Sequence, residues 1–213
     1  MRRSHSKNSL HTAVRAERVA EGGLSRGIWS HPIDASHPHS MSDRFREETS
    51  ELLEDYIHHY LGNGCQAAPS PAAQTLRRVA AEMLDINRPF YESCDKIPGN
   101  PRAVLQTVAA QMPEEGGLNW GRIVSLIVFT AILAKRARVQ NTATPKELAE
   151  VLTQFLAGEH RDWLQTNGGW AGFHKYFNNK EGHQSQENSS VSGALVAAAG
   201  FGLAGLALLL AVR

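Results

Sequence analysis

The stretch "NWGRIVSLIVF", residues 119–129, places one arginine at the head of a run that is otherwise almost entirely apolar. Apolar side chains cover every face of the predicted helix beyond Ser125, so this helix belongs in the middle of a core. Asn119 is placed to cap its first turn, and the helix is expected to cover about residues 120–135. Burying the guanidinium of Arg122 costs roughly several kcal/mol unless hydrogen bonds replace the water it loses. The partner of this arginine is therefore the main clue to function.

Amphipathic helices are predicted before this central helix. Apolar residues repeat every three to four positions from Ser42 onwards, and the glycines of "GNG" close that first helix. A second helix opens at Ser70-Pro71 and ends or kinks at Pro89. A short helix follows "IPGNP", and the chain then breaks at Pro113.

Helical signals continue after the central helix. "TPKE" at residues 144–147 is a capping box with proline at the first helical position. The segment "EHRDWLQTNGGWAGFHKYF" predicts two short helices joined at Asn167-Gly168-Gly169, where residues that tolerate a left-handed backbone are needed. No alternating strand pattern competes anywhere in the chain. The predicted fold class is therefore all-α, a helical bundle around one hydrophobic central helix.

The two ends of the chain differ from this helical region, residues 41–178. Residues 1–40 lack apolar periodicity and carry six Lys/Arg against three Asp/Glu, which predicts a disordered extension. Their Arg- and Ser-rich start also resembles a mitochondrial transit peptide, and Met41 could be an alternative start. Residues 191–212 contain no charged side chain and, as a helix, are long enough to span a bilayer core. We expect a polar linker at 179–190 and a C-terminal transmembrane tail anchor at 191–212, with the preceding chain cytosolic.

Composition and motifs argue against several classes of function. The formal net charge of +1 favours neither a nucleic-acid nor a polyanion partner. There is no H-E-x-x-H, no G-x-S-x-G and no phosphate loop, and His160 and Asp162, two positions apart, diverge on a helix. Cys65 and Cys94 form no C-x-x-C pattern, which fits a reducing compartment. We therefore predict no enzyme, no cofactor and no metal site.

Two segments resemble the first and second homology regions of the Bcl-2 family of apoptosis regulators. The amphipathic "LLEDYIHHYLG" resembles the fourth region, and the predicted tail anchor lies where the family usually has one. The second helix with "IPGNPRAVL" is most similar to the antiapoptotic Boo/Diva branch, and the resemblance covers residues 42–213. The residues that match the two signatures are Asn119, Trp120, Gly121 and Arg122 for the first, and Trp163, Gly169, Trp170 and Phe173 for the second.

The resemblance implies a function for Arg122. In this family the arginine lies at the rim of a hydrophobic groove and meets an aspartate from a partner's amphipathic death-motif helix. A charged, hydrogen-bonded pair of this kind contributes about 1.5–3 kcal/mol. The implied protein is antiapoptotic: it binds death-motif helices of pro-apoptotic relatives and restrains permeabilisation of the mitochondrial outer membrane. The tryptophans of the second region are interpreted as packing anchors. The predicted groove residues are Val79, Met83, Leu105, Val108, Asn119, Gly121, Arg122, Leu126 and Phe129.

The third homology region departs from the family pattern. "LRRVAAEMLD" aligns with the death motif, but Ala80-Ala81 replaces its Gly-Asp pair. Ala80 is still small enough for close helix packing, whereas Ala81 removes the carboxylate that would engage another protein's arginine. The chain retains the receptor half of the interaction, which favours an inhibitor over an effector.

Alternatives remain open for both the arginine and the function. Arg122 could pair with Glu114 or Glu115 inside the free chain. A membrane-permeabilising effector of the Bax type would share the fold, the anchor and the groove. A regulator of calcium release would act through the N-terminal helix on a channel of the endoplasmic reticulum. The anchor fits the mitochondrial outer membrane or the endoplasmic reticulum membrane, and the sequence does not identify which death-motif partners bind.

Overall fold

The computed structural model describes residues 41–62, 66–112 and 117–178, with side chains from residue 43 onwards. All of these residues belong to one unit, His39–Arg213. They contain helices and turns but no strand, so the predicted all-α class is confirmed for them. The helices are α1 (Met41–Tyr60), α2 (Pro71–Ile86), α3 (Arg88–Cys94), α4 (Pro101–Gln111), α5 (Trp120–Gln140), α6 (Pro145–Thr153), a π-helical turn (Gln154–Glu159), α7 (Arg161–Thr166) and α8 (Gly169–Asn178).

Capping residues and prolines set the helix starts as the sequence predicts. The Ser70 hydroxyl accepts from the Ala73 amide at 3.1 Å, and Pro71 occupies the first turn of α2. Thr144 and Glu147 form the complete capping box of α6. These local bonds satisfy amide groups that no helix can satisfy internally, so they fix where each helix begins.

Helix α5 is the buried centre of the bundle. Seventeen of its residues are buried, including every position from Trp120 to Ala134. The helix continues to Gln140, five residues beyond the predicted end, and stops where Asn141 adopts a left-handed conformation with φ 52°. The extension follows from Arg136 and Ala137, which are buried although their neighbours are polar.

The other helices cover α5 on several sides. Helix α1 packs most extensively on α6 and also on α2, while α2 packs on α8. A half-buried ion pair joins α1 to α2, with 2.6 Å between Arg77 Nη2 and Asp55 Oδ1. Helix α6 ends in a π-helical turn that the sequence did not predict, in which the His160 amide donates to the Phe155 carbonyl at 3.0 Å. This wider turn reorients the chain into α7.

The predicted extension at 1–40, the linker at 179–190 and the anchor at 191–212 lie outside the described residues. Within the described ranges, no helix is both long and apolar enough to cross a membrane.

Candidate functional site

Helices α2, α3 and α4 all lie against α5, but α4 packs mainly on α5 and α6 and makes at most marginal contact with α2 or α3. A seam therefore runs between α2–α3 and α4, with α5 as its floor. We call this feature the α4 seam. The six apolar residues predicted to line it come from α2, α4 and α5. Each of them is buried, with at most 5% of its surface exposed. These residues are Val79, Met83, Leu105, Val108, Leu126 and Phe129.

The α2 side of the seam carries the altered third homology region. Val79, Ala80 and Met83 are fully buried on the face of α2 that meets the core. Ala81 lies on the adjacent face and is exposed. The position at which the death motif has its aspartate is therefore at the surface, and in this chain it carries no charge.

Helix α3 is held to α5 by one buried polar contact. The Tyr91 hydroxyl lies 3.1 Å from the hydroxyl of Ser125, a buried polar residue in the first half of the apolar helix. Burial raises the pKa of Tyr91, and the hydrogen bond from Ser125 opposes that shift. Cys94, at the end of α3, is a buried thiol whose pKa is raised to about 12, chiefly by burial, so it is not a reactive nucleophile.

The first signature forms the beginning of α5. Asn119 Oδ1 accepts from the Arg122 amide at 2.9 Å, which is the predicted cap. Trp120 and Gly121 follow in the first turn, and both are buried. The signature therefore has a structural role in the free chain, because it starts the central helix.

The guanidinium of Arg122 is bound inside the free chain. The side chain is only 3% exposed. Its Nη1 atom donates to the Met112 carbonyl at 3.1 Å and to the Gly117 carbonyl at 2.7 Å, both in the connection from α4 to α5. The alternative acceptors Glu114 and Glu115 lie outside the described residues. Backbone carbonyls thus replace part of the water that this cation loses on burial.

A second arginine of α5 does the same at the opposite end of α4, and the sequence reading missed it. Arg136 is 7% exposed, and its guanidinium donates to the Ile97 carbonyl and, at 3.1 Å, to the Gly99 carbonyl. Burial lowers the pKa of Arg136, and the nearby Asp95 charge opposes that shift. The signal was an arginine on the buried face of a polar stretch, "AKRARVQ", but its acceptors are carbonyls, which leave no mark in a sequence.

The second signature builds an aromatic cluster around Trp120. Trp163 and Phe173 meet the Trp120 ring edge-on, with centroid separations of 5.0 and 5.4 Å. Trp170 is 1% exposed, and its indole N–H donates to the Thr49 hydroxyl at 2.9 Å. These residues lie in the core and join α8 and α1 to the start of α5.

Glycines make the turn into α8 possible. Gly168 and Gly169 have φ of 81° and 59°, which agrees with the predicted need for a left-handed backbone. Gly172 was not singled out from the sequence, yet a Cβ there would lie 1.9 Å from the Asn167 carbonyl oxygen. Any side chain at this position would separate α8 from the preceding turn.

The described residues contain no group of three or more His, Cys, Asp or Glu side chains placed to hold a metal ion. The predicted site residues in the α4 seam are apolar side chains together with the guanidinium of Arg122.

Comparison with known proteins assigns the family. Residues 76–170 match the family model of the apoptosis regulator proteins, Bcl-2 family. Anti-apoptotic protein NR13 of Gallus gallus is 45% identical over 178 residues, which cover 81% of this chain and 100% of that protein. The chain belongs to the Bcl-2 family. Bcl-2-like protein 10 of Homo sapiens is 30% identical over 161 residues, covering 65% of this chain and 79% of that protein.

Solved structures agree with this assignment. The free zebrafish pro-survival protein NRZ has a TM-score of 0.61 and 37% identity, covering 67% of this chain and 99% of NRZ. The complex of NRZ with Bad BH3 has a TM-score of 0.60 and 36% identity, covering 66% and 99%. The predicted Bcl-2-like helical bundle is confirmed, and so is the predicted antiapoptotic class, since the relatives are named anti-apoptotic or pro-survival proteins.

Proposed function

We propose that the chain is an antiapoptotic receptor that binds death-motif helices of pro-apoptotic relatives in the α4 seam. By holding these helices it restrains permeabilisation of the mitochondrial outer membrane. The observation that carries the proposal is the likeness of the helical region to NRZ, which was crystallised with Bad BH3. The α4 seam supplies the elements that an amphipathic helix requires, an apolar floor and one cation.

The role of Arg122 follows from an exchange of acceptors. In the free chain its Nη1 bonds two neutral carbonyls, those of Met112 and Gly117. A carboxylate offers the guanidinium a second charge and a two-oxygen acceptor that matches its planar fork, and neutral carbonyls provide neither. An aspartate on a bound helix therefore competes successfully for this guanidinium, while the two carbonyls turn to water or to ligand donors.

The apolar part of the seam must rearrange before a ligand helix can enter. The six apolar lining residues are at most 5% exposed, so a ligand reaches them only after the structure around them moves. The apparent affinity is reduced by the fraction of molecules that is open. Binding is then favoured mainly by burial of the ligand's own apolar side chains, at about 25 cal/mol per Å².

The membrane part of the proposal concerns residues 191–212. Their lack of charged side chains supports a tail anchor in the mitochondrial outer membrane or the endoplasmic reticulum membrane. Truncation before Val191 is expected to release the protein from membranes and to leave peptide affinity unchanged. Retention of the truncated chain in the membrane fraction would contradict this anchor.

The decisive experiment titrates a Bad BH3 peptide into the native chain, Arg122→Ala and the control Lys135→Ala. Lys135 is an exposed cation on the same helix. Arg122→Ala is expected to weaken binding by about 2–5 kcal/mol, because the peptide's carboxylate is stranded at a partly desolvated site. Lys135→Ala should bind as the native chain does. Circular dichroism checks that helicity is intact; unchanged affinity in a folded Arg122→Ala protein would show that the arginine is structural only.

Liposome leakage separates the receptor from an effector of the Bax type. The purified full chain is expected to release no dye from liposomes of mitochondrial lipid composition and to suppress leakage caused by a Bax-type protein. Leakage caused by the chain alone would reverse the proposed direction of its action.

A further inference from the structure

Helix α4 is held to the central helix at its two ends by two arginines of α5. Arg122 and Arg136 are about four helical turns apart, which is about 21 Å along the axis and returns to nearly the same side of the helix. Arg136 binds the carbonyls of Ile97 and Gly99 just before α4, and Arg122 binds the carbonyl of Met112 just after it. Each guanidinium thus bonds a carbonyl that adjoins α4, one group before its first residue and one after its last.

The start of α4 is fixed by further local features. Gly99 has a φ of 104°, which side chains rarely adopt. Asn100 Oδ1 caps the helix by accepting from the Arg102 amide at 2.9 Å, and Pro101 occupies its first turn. The two carbonyls bound by Arg136 lie within this rigid connection. Arg136 therefore holds a structure that is already well determined.

The end of α4 depends on a residue with a second task. Arg122 is the side chain proposed to meet the ligand's carboxylate, and its bonds to Met112 and Gly117 are the ones it would exchange. Ligand binding thus releases the C-terminal attachment of α4 and leaves the N-terminal attachment at Arg136 intact. Helix α4 then stays attached at its start, so its end can move only by rotation of the helix about that start.

Open space lies beside α4 on the side of α6. A crevice of about 780 Å³ runs beside the packed helices α4 and α6, lined by Ala109 and Ala110 on α4 and by Val151 and Phe155 on the other side. Because α4 makes at most marginal contact with α2 and α3, its movement away from them widens the α4 seam without breaking an extensive interface with either helix. The crevice provides the volume for that movement.

We propose that Arg136 is the positioning residue of the α4 seam: it holds the start of α4 as a pivot, while Arg122 releases the end of α4 when it takes the ligand's carboxylate. This rests on the proposed function for the release step, but the two attachments themselves can be measured in the free chain.

The first experiment needs no ligand and uses hydrogen exchange of two α4 amides in the full chain. The Val104 amide donates to the Asn100 carbonyl at the start of α4, and the Met112 amide donates to the Val108 carbonyl at its end. Arg136→Met is expected to speed exchange at Val104 about tenfold and to leave Met112 unchanged, because two hydrogen bonds near that end are lost. Arg122→Met should have the reverse pattern.

Two further variants complete this test. Lys135→Met removes an exposed charge one position away and should change neither amide. Arg136→Lys keeps the charge but loses the planar fork, so it should restore part of the protection at Val104. Equal acceleration at both amides in both arginine variants would overturn the pivot, as would no acceleration in either.

The second experiment measures movement on addition of Bad BH3 peptide, with spin-label pairs on exposed positions. One pair, Gln111 and Glu159, joins the end of α4 to the π-helical turn; the other, Ala103 and Lys146, joins the starts of α4 and α6. Peptide is expected to shorten the first distance by several ångströms and to leave the second unchanged. In Arg136→Met both distances should change.

The outcomes separate the two proposals. Absence of peptide binding would contradict the proposed function, while the hydrogen-exchange pattern would still decide whether Arg136 holds the start of α4. Peptide binding with equal shifts at both ends, or with none, would overturn the pivot and leave the receptor function standing.

Discussion

The two sides of α5 are held together in different ways. On the side of α1 and α8, Trp120 contacts Trp163 and Phe173 edge-on, and the Trp170 indole donates to Thr49. On the other side, the attachments of α4 to α5 include guanidinium bonds to carbonyls at both ends of the helix. One side is thus joined by interlocking side chains, and the other depends in part on hydrogen bonds that a different acceptor can replace.

The difference bears on how a stable protein can bind a helix in its core. Interdigitated side chains fill space at crystal-like density and permit few alternative arrangements. Guanidinium–carbonyl bonds can be exchanged for a carboxylate with little net loss. We therefore infer that the aromatic side supports the fold and that the α4 side adjusts when a ligand binds.

The largest expected effect is on the aromatic side. Trp170→Ala should lower the free energy of unfolding by about 3–5 kcal/mol, because it leaves a large cavity and removes the indole N–H that donates to the Thr49 hydroxyl. Urea denaturation measures it. Tyr176→Ala, a change at a 39% exposed aromatic that meets Phe177 edge-on, should cost less, about 0.5–1.5 kcal/mol. A loss of similar size in both variants would show that α8 as a whole, not its buried face, sets stability.

A matched pair of leucines compares the two sides directly. Leu105 on α4 and Leu152 on α6 are both fully buried. Leucine-to-alanine changes cost about 2–5 kcal/mol, and the cost is smaller where the surroundings collapse on the cavity. Leu152→Ala should fall near the upper end and Leu105→Ala near the lower end, with a difference of about 1–2 kcal/mol in urea denaturation. Equal losses would mean that α4 is held as firmly as α6.

Local features of the fold were predictable because their causes are local. The cap at Asn119 and the capping box at Thr144 involve partners within three residues, so a short stretch of sequence contains both halves of each interaction. The central helix followed from the apolar run itself. Its extension to Gln140 did not, since it depends on burial of Arg136 by another part of the chain.

The carbonyl partners of Arg122 were not predictable from the sequence. Arg122 was expected at the rim of a groove, with Glu114 or Glu115, which lie outside the described residues, as candidate internal partners. In the structure the side chain is 3% exposed and bonded to backbone carbonyls. Every residue carries a carbonyl, so no pattern of residue types identifies which ones a guanidinium will bind. The same reason explains why Arg136 went unnoticed.

A smaller effect is expected where the hydrogen bond from Trp170 to Thr49 joins α8 to α1. The Thr49 hydroxyl accepts from Trp170 and donates to the Phe45 carbonyl at 2.8 Å. Thr49→Val keeps the shape but leaves the buried indole N–H without its acceptor, which should cost about 1–3 kcal/mol in thermal or urea unfolding. Thr107→Val, an exposed threonine on α4 that bonds only its own helix, is the control. Comparable losses of stability in the two variants would show that the bond between Thr49 and Trp170 contributes no more than a bond within one helix.

The smallest expected effect lies at the start of α6, beside the α4–α6 crevice. Thr144 donates its amide to Glu147 Oε2 at 2.7 Å. This backbone hydrogen bond, followed by that from the Thr144 hydroxyl, lowers the pKa of Glu147 below its usual value. The carboxylate therefore contributes stability above the unfolded-state pKa of about 4.3 and loses it as pH falls through the lower folded-state value.

Replacing the Glu147 carboxylate tests whether the start of α6 stays in place when α4 moves. Glu147→Gln should melt slightly below the native chain at pH 7, and the difference should shrink as pH falls through the folded-state pKa, whereas Glu159→Gln serves as a charge-matched control on an exposed residue. Peptide affinity at pH 7 should be the same in all three proteins, because α6 is assigned to the side that does not adjust. If Glu147→Gln alone alters peptide affinity, the start of α6 moves together with α4. Helix α6 would then belong to the part of the fold that adjusts on binding, and not to the part that supports it.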